Sequence, residues 1–116
     1  MPSIVFTTTK SDANTPWITK SNTDFTYISQ SEYEANVAPY WTFVESLPGY
    51  QSRNGVTNDT VSTITITFDT TNNVNNALAQ LLSGNNTVVT NRTAAYQNAM
   101  GNLGVTNNYS FTVSTI

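Results

Sequence analysis

From Ser62 to Phe68 the chain reads Ser-Thr-Ile-Thr-Ile-Thr-Phe, so Ile64, Ile66 and Phe68 alternate with Thr63, Thr65 and Thr67. Successive side chains of a strand point to opposite faces. A period of two therefore predicts a strand with one apolar, buried face and one solvated face of hydroxyls.

The segments around this strand are read by the same logic. Ser3–Thr9 is β-branched and aromatic and follows Pro2, which predicts a first strand. Residues 10–24 are polar and aperiodic, with Pro16, Trp17 and Ile18, and read as a long loop expected to order only on assembly. Phe25-Thr-Tyr-Ile28 is a short apolar continuation. Ser31-Glu-Tyr-Glu34 has the form of a capping box, in which a Ser hydroxyl and a Glu three residues on satisfy each other's backbone donors. Behind it Tyr33, Val37, Tyr40, Trp41, Val44 and Leu47 keep helical spacing, Pro39 predicts a kink or restart, and Pro48-Gly49 ends the run. A hairpin is expected between Tyr50 and Thr70, turning at Asn54-Gly55 or at Thr57-Asn-Asp59. Asp69, Thr70 and Thr71 offer N-cap oxygens for a second helix, with Val74, Leu78, Leu81 and Leu82 on one face and Gly84 at its end. A third helix is expected over Thr90–Leu103, stopped by Gly104, and a last strand over Tyr109–Val113 with Tyr109, Phe111 and Val113 inward.

This order predicts one α+β domain over residues 1–116: a ferredoxin-like split β-α-β sandwich, its antiparallel sheet carrying two or three helices on one face. The other face must be covered by something, and in many small proteins of this fold that is a second copy.

Composition narrows the chemistry. The 116 residues include no Cys and no His, which removes thiolate nucleophiles, disulfides, His-based triads and nearly every zinc or non-haem iron site. Charged residues make up only 9%, and the share they lose goes to Thr, Asn and Ser, 48 positions together. Lys10, Lys20, Arg53 and Arg92 are the only cations under a net charge of −3. Nucleic-acid affinity comes mostly from Lys and Arg on phosphates, so no nucleic-acid partner is expected. With no apolar run of the length a bilayer requires, neither is a membrane. No cofactor, no metal and no catalytic residue are assigned. Glu34 and Glu45 read as a cap residue and a surface residue rather than an acid–base pair, and Asp12-Ala-Asn14 and Asn58-Asp59 as turn formers rather than calcium ligands. A hydroxyl- and amide-rich surface with few charges suits permanent packing against protein. Aromatics crowd residues 33–50, and Trp17, Phe43 and Tyr50 exceed what one helix face buries; with Arg53 and Arg92 they form the candidate contact surface.

Two resemblances add to this. The stretch Glu32–Asp69, with its aromatic helix, the corner Leu47-Pro48-Gly49-Tyr50 and Phe68-Asp69 before the next helix, resembles dimeric α/β-barrel domains related to antibiotic-biosynthesis monooxygenases. That resemblance implies a pocket for a small apolar ligand, and the lack of His departs from the family's catalytic members. The whole chain, with Met1-Pro2 leading directly into a strand, its Thr and Asn richness and its Pro16-Trp17 dipeptide, resembles short virion proteins of tailed, T4-like marine bacteriophages. The expectation that follows is a non-enzymatic structural component of the virion, in neck, tail, baseplate, fibre or capsid decoration. It would be assembled in the host cytoplasm and oligomeric in the particle, packing against copies of itself or other virion proteins. The alternatives are the ligand-binding barrel and a cell-surface carbohydrate-binding module with an aromatic platform of Trp17, Trp41 or Tyr50.

Overall fold

A computed structural model describes residues 1–18 and 25–116. Strand β1 (Ser3–Lys10) leads to helices α1 (Gln30–Asn36) and α2 (Ala38–Ser46). The hairpin β2 (Tyr50–Thr57) and β3 (Val61–Phe68) follows, then α3 (Thr71–Leu81), α4 (Thr87–Leu103), a 3-10 turn at Thr106–Asn108 and β4 (Tyr109–Thr115). The four strands form one antiparallel sheet in the order β2-β3-β1-β4, the order of a ferredoxin-like sandwich.

Register sorts the side chains. Ile4 faces Ile66 and Phe6 faces Ile64 across the central pair. Ile4, Ile66 and Phe68 are fully buried under Val37, Val44, Val74 and Ala77 of the helix layer. Each such burial contributes about 1.5–3 kcal/mol. The opposite face carries Val5, Thr7 and Thr9 of β1 beside Thr65, Thr63 and Val61 of β3, flanked by Ser52 and Asn54 of β2 and by Ser110, Thr112 and Ser114 of β4. It bears no charge. A smaller cluster of Ile18, Ile28, Ala99 and Met100 fastens the residues before α1 onto α4.

Several boundaries differ from the sequence expectation, each for a local reason. The first helix is capped by Ser29, whose Oγ accepts from the Glu32 amide at 3.2 Å, rather than by Ser31. Ser29-Gln-Ser-Glu32 is itself a capping pattern, and its register wins because Ile28, just ahead of the cap, is buried beside Tyr33. The expected bend is a break at Val37, and Pro39 sits in the first turn of α2, where its missing donor costs nothing. The hairpin turns at Asn58, whose side chain accepts from the amides of Thr60 and Val61, while Asn54 and Gly55 lie within β2. Helix α4 begins three residues early because Asn86 caps it, accepting from Val88 and Val89. Leu82, expected on the inner face of α3, caps its C-terminus and is 60% exposed. Phe111 and Val113, expected inward, are 62% and 40% exposed, because β4 lies at the sheet edge beyond the helices that cover β1 and β3.

Gly49 has φ +78°, and a Cβ there would stand 2.2 Å from the Asp69 carboxylate and 2.4 Å from Asn73 Nδ2. Gly55 has ordinary backbone and open space around it. Gly49→Ala is therefore expected to destabilise the fold by about 1–3 kcal/mol. Gly55→Ala is expected to stabilise it by about 0.5 kcal/mol, since a glycine inside a strand is entropically unfavourable. Urea midpoints of the two variants check both; equal midpoints would contradict the turn geometry.

Candidate functional site

Among the described residues the cations are Lys10, Arg53 and Arg92, and all three lie over aromatic rings. Lys10 is buried at the end of β1, where its Nζ donates to the Thr15 carbonyl at 2.6 Å and sits 4.5 Å from the Trp17 ring centre. Trp17 in turn donates from Nε1 to the Asn58 carbonyl at 2.9 Å. Tyr109 donates its hydroxyl to the Pro16 carbonyl, and Asp12 Oδ1 accepts from the amides of Asn14 and Thr15. Residues 11–18 are thus tied to the hairpin tip and to β4 within one chain. The remainder, residues 19–24, lies outside the described residues. Asp12 and Asn58 act as turn formers, and among the described residues no three acidic side chains cluster as a metal site would need.

The second group of rings forms the wall of a cavity. Arg53, on the helix side of β2 opposite Ile66, places its guanidinium 4.2 Å from the centre of Trp41. Arg92, on α4, places its guanidinium 4.4 Å from Tyr40, 5.0 Å from Tyr96 and 5.4 Å from Trp41. No carboxylate pairs with either cation among the described residues, and Arg92 Nε is buried without a hydrogen-bond acceptor. Burial raises the Tyr40 phenol above its ordinary value, with Arg92 pulling the other way and Tyr96 adding to the rise. The Tyr33 phenol is raised by burial and by Tyr96, against the pull of Arg53 and Arg92. Both hydroxyls therefore stay protonated near neutrality and are hydrogen-bond donors. Beside this cage lies a cavity of about 440 Å³ between sheet and helices. Phe6 and Ile64 form its floor, Leu81 and Met100 its helix side, and Phe111 and Val113 the wall toward the sheet edge.

The residues singled out in the sequence fall into three places. Arg53 and Arg92 meet on one indole, that of Trp41. Phe43 and Tyr50 pack half-buried against the main core, Tyr50 edge-on to Phe68 at 6.3 Å. Trp17 is the tether at the hairpin tip. Trp41 is buried and Tyr50 half-buried, so they do not make the exposed platform that the carbohydrate reading asked for. Sequence reasoning did not mark Tyr40, Trp41 and Tyr96 as a cage. The available signal was the four-residue spacing of Arg92 and Tyr96, which puts them on one face of a helix. Comparison with protein-family models, curated proteins and solved structures gives no match. No helix among the described residues is long and apolar enough to cross a membrane.

The Asp12 turn makes a pH prediction. The Thr15 amide holds the Asp12 carboxyl below its ordinary value, slight burial opposes this, and the Thr15 hydroxyl, the Asn14 amide and the Ser11 hydroxyl reinforce it. A depressed folded value means that the turn's stabilisation is complete above the unfolded carboxylate value and is lost as pH falls through the folded one. The Thr15 amide resonance is expected to titrate with a midpoint below 3.8 and to lose that titration in Asp12→Asn. A midpoint at or above 3.8 would contradict the turn.

Proposed function

We propose that the chain is a non-enzymatic building block of a tailed-bacteriophage particle, which assembles by joining copies of itself along β4. The particle is proposed from the resemblance in composition and in the Pro16-Trp17 loop; the mode of assembly is proposed from the sheet edge. β4 supports it most directly. Tyr-Ser-Phe-Thr-Val-Ser-Thr, residues 109–115, contains no charge, proline or glycine, and no strand pairs with its outer side among the described residues. Edge strands of proteins that stay apart are guarded by charges, prolines, bulges or shortness. The other edge, β2, has such guards in Arg53 and in the irregularity between Tyr50 and Ser52, and its hairpin ends in Asp59. β4 has none and adds exposed Phe111 and Val113 beside its free backbone groups. An antiparallel pairing of two β4 strands about a two-fold axis satisfies both edges alike. The uncharged face of Thr, Ser and Asn then runs on across the pair, and its hydroxyls and amides penalise partners that leave them unpaired.

The cavity favours a second reading, in which the domain holds a small, largely apolar ligand between sheet and helices, as the barrel resemblance implies. Its volume lies in the ordinary range of ligand sites. The two readings are compatible in one molecule.

Ser110 and Ser114 lie on the open face of β4, exposed and away from the cavity. Replacing both by Lys sets like charges against each other across the proposed pair. In sedimentation velocity the native chain is expected to run as a dimer or larger species at tens of micromolar, and the double variant as a folded 12.7 kDa monomer. A native chain that stays monomeric, or a variant that associates equally well, would overturn the edge pairing.

A further inference from the structure

The cavity and the orphaned charge beside it answer each other. Among the described residues Arg92 is the only charged side chain on the cavity wall and its Nε is buried with no acceptor, and three aromatic rings fix its guanidinium. Cation–π contacts hold the cation against the rings, but the rings accept no hydrogen bonds in the plane of the fork. Arg92 is only half-buried and lines the cavity, and no carboxylate pairs with it among the described residues, so its charge is open to an acceptor in that space. The planar guanidinium fits carboxylate or phosphate with two parallel hydrogen bonds. The charge available decides between them. Arg53 stands on the Trp41 ring and is not part of the cavity wall, so among the described residues one positive charge faces the space. A singly charged carboxylate is matched by it, whereas a phosphate dianion buries charge without compensation. The remaining wall is predominantly apolar, with Phe6, Ile64, Leu81 and Met100 beside polar Thr8, Ser62, Thr93 and Gln97, and suits a hydrocarbon or aromatic body.

We infer that the cavity binds an organic acid with an apolar body, whose carboxylate takes its hydrogen bonds from the Arg92 guanidinium while the body lies between the sheet and α3–α4. This rests on the ligand-holding reading above and adds the ligand's chemical class and the residue that selects it. Arg92 acts by matching the acid's charge and geometry, so its effect falls on discrimination between acid and neutral molecule rather than on uptake of apolar matter in general.

The test uses the full chain, with sodium dodecanoate and 1-dodecanol titrated below their aggregation limits and followed by calorimetry and tryptophan fluorescence. The inference predicts that dodecanoate binds at least ten-fold more tightly than the alcohol and more tightly than dodecyl phosphate. In Arg92→Met, which keeps an apolar side chain against the rings, that preference is expected to vanish, while Arg53→Met retains it. Equal binding of acid and alcohol to the native chain would overturn the inference and leave the ligand-holding reading intact. Binding of neither would overturn both. A preference for the acid that survives in Arg92→Met would place the anion elsewhere and also overturn the inference. The comparison on the native chain needs no variant, so it decides even if Arg92→Met fails to fold.

Discussion

Ile4 and Ile66 face each other across the central strand pair and, with Phe68, are shut away from water by the helices above them. Everything else is arranged around that contact. Because β1 and β3 alternate apolar with hydroxyl side chains, the same pairing that seats the isoleucines turns Thr7, Thr63 and Thr65 outward. The helix layer covers β1 and β3, and β4 is left at the rim with its apolar residues half in solvent. The sheet thus creates the core, the uncharged outer face and the unguarded edge in one step.

Charge is the second organising constraint. A chain with four cations has little to spend on surface ion pairs, and the three described here all rest on aromatic faces. Lys10 and Trp17 fix the residues after β1 to the hairpin tip. Arg53 and Arg92 occupy a single indole, and Arg92 alone turns toward the cavity. The aromatic cage positions a charge without neutralising it, which is the condition a site for an anion requires.

Much of this architecture is legible in the sequence where a local signal agrees with burial. The alternation of Ser62–Phe68, the stop at Pro48-Gly49, the break near Pro39 and the left-handed cap at Gly104 are all where the residues place them. Departures arise where two local signals compete and only tertiary packing decides. Ser29 and Ser31 both head a capping pattern, and Ile28 selects the first. Asn54-Gly55 and Asn58 both mark turns, and the eight-residue length of β3 requires the later one. Phe111 and Val113 carry an inward pattern, but whether a helix lies above an edge strand is a property of the whole layer. Of the site, Arg53 and Arg92 stand out in the sequence by rarity; their meeting on Trp41 depends on sheet register past the irregularity in β2, which no local pattern reveals.

Whether β4 is a joining edge or a terminal one is tested most directly by residue-resolved amide exchange at rising protein concentration. Pairing of two β4 strands predicts that the outward amides of residues 109–115 become protected as concentration rises, while those on the outer side of β2 keep their rates. Exchange along β4 that stays fast and independent of concentration, matching β2, would contradict it.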